Sequence, residues 1–578
     1  MHKRTFIKVL VAGLCLTALD IVSIGLTQEM PGPIKAMKNE LSRNFQALQK
    51  QQVPPYYISY SIDEVRTQYV GGAFGAIMAR SEGKTAYLNV SVRTGSYQRD
   101  SSHELRGGTN SLSALRARTS SAARAPLGEA PEALAVILWR ETDRAYKDSV
   151  EALSAVKSEQ SLKTAEEDKS GDFSKVEPHT SIEKPLDMQV DLDKWAGRMR
   201  RATAVFKKHP FINDCSGIFQ SEVRQKYFVD TEGTIVSTPA NYMRIQISAN
   251  VKADDGMELP LYLSYFGFKE SDLPSEAAIL SDVNAMTANL DKLRKAPMVD
   301  PYTGPAILSG KASGVFFHEI LGHRLEGHRL KSESEGQTFK KRVGELVLPE
   351  FLSIIFDPTI RSLNGFVLSG AYNFDDEGTK PEKVVSIQNG ILKDFLMSRN
   401  PVDRFPRSNG HARSQPGAKP VSRQSNLIVE STKTLPEEKL RQLLIEECRK
   451  QNKPFGLMFS EISGGNTYTG RSSVNAFNVT PLAVYRIYTD GRPDEMVRGV
   501  DLIGTPLTVF GKIIATGSKM EIFNGTCGAE SGNVPVSAVS PSILVSEIEV
   551  QKKSKSQEKP PVLPAPTKGA GSQAGGSR

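Results

Sequence analysis

Three of the chain's eight histidines fall within eleven residues, in the run Phe317-His318-Glu319-Ile320-Leu321-Gly322-His323-Arg324-Leu325-Glu326-Gly327-His328. A His-Glu pair followed by a second His, on an otherwise apolar and helix-forming stretch, is how a chain holds a divalent metal with a base beside it. Packing explains neither His318 nor Glu319, because both interrupt the apolar run Val315, Phe316, Phe317, Ile320, Leu321. Metal-dependent hydrolysis is therefore the first chemistry to weigh.

The spacing constrains the backbone. In His-Glu-x-x-His zinc hydrolases the histidines are four residues apart and share one helix face. His318 and His323 are five apart, so at ~100° per residue a straight helix turns them roughly 140° away from each other. Either a π-bulge intervenes, which at ~4.4 residues per turn cuts the divergence to roughly 50°, or a turn at Gly322 breaks the helix. The pattern predicts a distorted helix.

A catalytic zinc takes three protein ligands and keeps one position for water. His318 and His323 supply two; Cys527, Glu326, His328 and His411 are the candidates for the third. Cys527 lies in Phe523-Asn524-Gly525-Thr526-Cys527-Gly528, where glycines allow close backbone approach, and thiolate is a good zinc donor that disfavours magnesium or calcium. Glu326 follows His323 by three residues and suits either a ligand or an orienting carboxylate. For His328 and His411, an exposed or hydrogen-bonded histidine is the plainer reading. Glu319, next to a ligand, is the expected general base. Zinc lowers the pKa of its bound water to ~7, and the carboxylate takes the proton and passes it to the leaving amine.

The 578 residues are enough for two or more cores, and the net charge of +8 is mild over that length. Part of it sits in the tail (Lys552, Lys553, Lys555, Lys559), and no basic stretch is interleaved with aromatics, so nucleic-acid binding is not indicated. His2-Lys3-Arg4 and Lys8 lead into an apolar run from Val9 to Leu19 that is too short to span a bilayer. With Ser23 and Gly25 it reads as a secretory signal over residues 1–25, implying a periplasmic or secreted protein without a membrane span after cleavage. An uncleaved anchor extended through Ile21–Leu26 is the alternative, interrupted by Asp20. Leu14 excludes a lipoprotein site at Cys15. Export would leave Cys215, Cys448 and Cys527; two could pair, but buried apolar thiols are the expected state of Cys215 and Cys448.

Helical spacing runs through Met37–Gln51, from Pro131 towards Val156, and through Trp195–Lys208, Leu280–Leu293 and Pro436–Lys450. Strands are expected at Tyr56–Tyr60, Val65–Val70 and Ala86–Val92 and throughout Ile212–Val251, with turns at Glu232-Gly233 and Asp255-Gly256. Residues 106–127 read as a loop. Beyond Pro301 come short β runs punctuated by Asn364-Gly365, Asn389-Gly390 and Asp490-Gly491, pairs that favour hairpins. The expected architecture is α+β: an N-terminal α/β domain over 34–300 with a polar, mobile excursion at 161–185, a β-rich barrel- or sandwich-like domain over 301–550, and a disordered tail over 551–578.

The run from His318 to Gly327 resembles the His-Glu-x-x-Gly-His-x-Leu-Glu-Gly signature of the TldD/PmbA metallopeptidases, once labelled modulators of DNA gyrase. Asp375-Asp376-Glu377-Gly378 with the Asn389-Gly390 hairpin, Arg423-Gln424-Ser425-Asn426, Ser463-Gly464-Gly465, Asn524-Gly525-Thr526-Cys527-Gly528 and Tyr227–Thr234 are similar to that family in the same order. The resemblance, over about residues 37–550, implies a zinc peptidase with ligands His318, His323 and Cys527 and catalysis by Glu319. It also implies a homodimer, or a heterodimer with a paralogue lacking the metal motif, around a cavity that admits unfolded peptides. The signal-like start departs from the family's cytosolic members. Two other readings compete: a non-catalytic, chaperone-like peptide-binding subunit with a structural metal, and an amidase on a small peptide-like molecule.

Overall fold

The computed structural model describes residues 30–105, 123–127, 131–160, 168–332, 335, 337–467, 469–470, 477–504 and 509–553. The expected signal segment, most of the 106–127 loop and the tail beyond 553 lie outside them. Among the described residues no helix is long and apolar enough to cross a membrane.

The N-terminal region is built on a seven-stranded sheet. Its order is Ala123–Ala125, Ala76–Thr94, Pro55–Ala73, Ile212–Asp230, Ile235–Lys252 and Thr180–Ile182, with Glu258–Gly267 also paired to Ile235–Lys252. The two short strands expected at 56–60 and 65–70 are one, Pro55–Ala73. The polar link Ser61–Glu64 keeps register with both neighbours, and the buried Asp63 finds Arg224 Nε at 2.8 Å on the next strand. Two helices, Gly32–Leu48 and Pro131–Gln160, bury Ile34, Met37 and Leu138 against Ile58, Tyr60 and Leu88. Two more, Leu192–Ala204 and Glu276–Lys295, bury Trp195, Met199 and Val283 against Phe219, Ile245 and Ile247. Their N-termini are capped by Asp191 and Ser275, whose side chains accept from the amides of Lys194 and Ala278.

The C-terminal domain is strand-rich and partly closed. Tyr302–Leu308, Phe455–Thr467, Phe477–Tyr488, Val500–Gly504 and Gly532–Lys552 pair in sequence, and the last strand returns to pair with the first. Closure leaves this ring without a free edge. Gly532–Lys552 also pairs in parallel with Asn426–Ser431, which extends the sheet outward, and forms a long hairpin with Ile513–Ala529. The Asn-Gly pairs turn as their chemistry demands, with positive φ at Asn364, Gly365, Asn389 and Gly390.

One helix, Gly310–Ile320, is buried on every side from Ala312 to Ile320. Where the closing strand passes next to its first turns it carries small residues, Gly310, Ser313 and Gly314. A Cβ on Gly310 would lie 2.5 Å from the Ser540 carbonyl oxygen, and one on Gly314 3.1 Å from that of Ala538. Ser309 caps it by accepting from the Ala312 amide at 3.2 Å, and Ser313 Oγ meets Ser540 Oγ at 2.8 Å. Small residues thus seat the histidine helix directly on the strand that is hairpinned to the cysteine strand.

The reading of 161–185 as an unpacked excursion needs correction for 168–182; residues 161–167 lie outside the description. Thr180–Ile182 adds to the sheet beside Ile235–Ser237. Phe173 is buried, with the guanidinium carbons of Arg93 and Arg399 at 3.8 and 3.9 Å from its ring centre. Asp172 is buried too, with Lys331 Nζ at 3.2 Å. The segment's polarity belongs to a buried ionic seam between the N-terminal sheet and the C-terminal domain. Arg399, fully buried, donates to the Ser174 carbonyl and to Glu232, while Asp376 meets Arg224 and Lys226. Sequence polarity alone does not separate solvated charge from charge paired across such a seam. Phe173→Ala is expected to cost about 3–5 kcal/mol and to open 168–182 to limited proteolysis; a variant cut no faster than the parent would contradict this account of the segment.

Candidate metal centre

The histidine helix ends where the motif needs it to. Regular α-helix runs to Ile320, Leu321 departs to φ −108°, and a 3-10 turn, Gly322–Leu325, carries His323. Of the two distortions the spacing allowed, the break at Gly322 is the one adopted. Arg324 folds back and donates to the carbonyls of Ile320 at 2.8 Å and Glu319 at 3.3 Å, satisfying acceptors that the interrupted helix leaves open. Gly322 is fixed by crowding: a Cβ there would stand 1.9 Å from Gln424 Oε1, and the same buried amide donates to the His318 carbonyl at 3.2 Å.

The break swings the two imidazoles together, with ring centres 5.1 Å apart and planes at 76°. From the hairpin strand Ile513–Ala529, some two hundred residues later, Cys527 places Sγ 3.4 Å from His323 Nε2. One donor atom from each of His318, His323 and Cys527 lies within 4.8 Å of the others, and all three residues are buried. Donors on tetrahedral arms of ~2.0 Å for nitrogen and ~2.3 Å for sulfur stand about 3.5 Å apart, so this spacing fits zinc. Two imidazoles and a thiolate also suit its borderline-soft chemistry.

The electrostatics favour a donating thiolate. Burial opposes ionisation of Cys527, but His323 and His318 draw its pKa well below the ordinary thiol value. Burial also opposes charge on His323, yet Cys527 and Glu326 raise its pKa well above the usual imidazole value.

The remaining candidates fall into distinct roles. Glu326 is fully buried and faces away from the thiol, its Oε2 3.1 Å from His323 Nδ1. A proton shared there leaves Nε2 pointing at Cys527, the arrangement an orienting carboxylate produces. Burial pushes the Glu326 carboxyl up, but His323 and Arg329 overcome it and hold the pKa at about 2. Glu319 lies at the rim, Oε2 4.0 Å from His323 Nε2. His328 pairs with Glu530 outside the cluster. His411 is buried between Asn409, 3.1 Å from Nδ1, and Ser425, 3.2 Å from Nε2, and burial takes its pKa down to about 3. Cys215 and Cys448 are free, buried in separate apolar clusters, with burial raising both thiols to about 11.

Sequence reasoning did not see what Arg324, Arg423 and Gln424 do. All three are buried and bonded to main-chain carbonyls around the site. Their motif, Arg423-Gln424, was visible only as part of a resemblance.

The C-terminal domain thus combines a closed strand ring, a buried helix and a His/His/Cys donor set that could hold a metal. Residues 301–552 match the family model described as PmbA/TldA metallopeptidase C-terminal domain. A metalloprotease of Archaeoglobus fulgidus is 33% identical over 239 residues, 41% of this chain and 51% of that protein. A zinc metalloprotease TldD homolog of Saccharolobus solfataricus is 27% identical over 277 residues, 46% of this chain and 57% of that one. The matches thus span about half the length of these curated relatives. TldE of Thermococcus kodakarensis superposes with a TM-score of 0.57 over 89% of this chain and all of its own, at 14% identity, which establishes likeness of fold. Residues 301–552 are thus similar to the C-terminal domain of the PmbA/TldA metallopeptidases, and the fold of the chain is like that of TldE.

Gly322→Ala should destabilise the protein by about 1–3 kcal/mol, since the buried Gln424 amide would have to leave the His318 carbonyl to make way. In a Gln424→Ala background the same change should cost less. Urea unfolding of the four proteins tests this, and an equal cost in both backgrounds would refute the crowding argument.

Proposed function

We propose that the chain is a zinc-dependent metallopeptidase acting on short or unfolded peptides, with His318, His323 and Cys527 holding the metal and Glu319 as its catalytic base. The reading rests on one observation above all: three donors of the right type converge and a carboxylate stands at their edge. The number of donors favours catalysis over a structural role. Structural zinc sites are four-ligand and closed. Among the described residues the sequence's other candidate donors are engaged elsewhere, Glu326 with Arg329, His328 with Glu530 and His411 with Asn409 and Ser425.

Bound zinc would polarise the scissile carbonyl and acidify a water. The chain's own groups do the rest. Glu319 takes a proton from the attacking water and delivers it to the departing amine, the general acid–base work suited to a carboxylate at hydrogen-bond reach. Glu326 fixes the His323 ring, and the buried surroundings strengthen every charge interaction at the reacting carbonyl. The charged start and short apolar run at residues 1–25 support export as part of the same proposal.

Glu319→Gln keeps the donor set and removes the base. It should retain zinc while peptide cleavage falls by about 10²–10⁴-fold, whereas Cys527→Ser should lose zinc as well as activity. Hydrolysis of a peptide library alongside small non-peptide amides, with metal analysis of each protein, checks both. Undiminished peptide cleavage by Glu319→Gln would overturn the peptidase mechanism, and cleavage confined to the non-peptide amides would replace it with the amidase reading.

A further inference from the structure

The two halves of the donor set come from segments some two hundred residues apart, and no disulfide ties them together. What does is a chain of buried charge. Glu326 Oε2 contacts His323 Nδ1 at 3.1 Å and Arg329 Nε at 3.0 Å. Its other oxygen, Oε1, faces Arg423 Nε at 3.5 Å; among the described residues neither of these two atoms has a hydrogen-bond partner, and both side chains are fully buried. The rest of the Arg423 guanidinium is spent on the cysteine hairpin. Nη2 donates to the Cys527 carbonyl at 2.7 Å, and Nη1 donates to Ser531 Oγ at 2.7 Å and to the Gly532 carbonyl at 2.9 Å.

We infer that Glu326 and Arg423 act as a clamp that holds the cysteine hairpin in register with the histidine turn, and that Arg423 positions Cys527 for the metal through its main chain. This rests on the zinc reading above. The geometry is specific to arginine: two nitrogens of a planar fork can grip three groups around one hairpin turn while the third faces the carboxylate, and a lysine ammonium cannot. A carboxylate and a guanidinium so deeply buried are a poor source of stability compared with apolar packing. Their placement makes sense as alignment of ligands that neither segment aligns alone. A second, outer tie follows the same path, from Arg329 Nη2 to Glu530 Oε2 at 3.0 Å and from His328 to Glu530, at the turn of the same hairpin.

The test compares Arg423→Gln, Arg423→Lys, Glu326→Gln and the Glu326→Gln/Arg423→Gln double variant in the full chain. Zinc affinity is read by chelator competition, and the thiolate-to-metal charge-transfer band by cobalt substitution. Each single variant should bind zinc about ten- to a hundredfold more weakly, the size of effect expected for groups that orient ligands. The Arg423 variants should also weaken the cobalt–thiolate band while circular dichroism stays that of the parent. The double variant should lose no more than the worse single one, as for two residues acting as a unit. If Arg423→Gln fails to fold, Arg423→Lys and Glu326→Gln decide the matter.

Folded variants with parental zinc affinity and an unaltered band would overturn the clamp, as would loss of fold in all of them, which would make the pair a general structural element. Cys527→Ser separates the two levels. If it abolishes the band while the Arg423 variants leave it intact, the metal site stands and the clamp fails. If the parent shows no such band, the zinc reading itself fails.

Discussion

A helix that must stop after Ile320 is the constraint from which the rest of the site follows. Two histidines five residues apart can meet only if the chain leaves the α-helical path between them, and Gly322, pressed against the Gln424 amide, is where it does so. The interruption exposes helical carbonyls, which Arg324 caps, and it leaves His323 on a short turn whose ring needs an external hold, which Glu326 provides. Each compensation is a buried polar group with a main-chain or carboxylate partner. Such a network is either complete or costly, which explains why so many charges stand so deep around three donor atoms.

The same logic operates at larger scale. The helix reaches the cysteine hairpin because Gly310 and Gly314 let it rest against the backbone of the closing strand. The hairpin reaches the histidine turn because that strand both closes the ring with Tyr302–Leu308 and pairs with Ile513–Ala529. The N-terminal region then meets the domain through an ionic seam in which Arg399 and Phe173 are buried and Asp376 pairs with Arg224 and Lys226. Fold, seam and site all use paired charge in places where hydropathy would expect apolar packing.

This divides what the sequence reveals from what it hides. Period and punctuation located the helices at 32–48, 131–160 and 437–450 within a few residues, and the Asn-Gly pairs marked real hairpins. The five-residue histidine spacing required a break, and Gly322 was one of the two ways to make it. Hidden was anything resting on polar burial. The stretch Ser422-Arg423-Gln424-Ser425-Asn426 carries no apolar residue, yet every residue in it is fully buried. Residues 168–182 look unpacked but contribute a strand and an aromatic ring held between two guanidinium groups. Such segments pair with partners hundreds of residues away, and local composition carries no record of that.

The account stands or falls on one sulfur and two imidazoles sharing a single ion. X-ray absorption at the zinc edge of the purified, zinc-loaded protein measures that directly. It should show one sulfur at ~2.3 Å and two imidazole nitrogens at ~2.0 Å, with the remaining scatterer a light atom. A spectrum without a sulfur neighbour, or a protein that takes up no stoichiometric zinc, would contradict it.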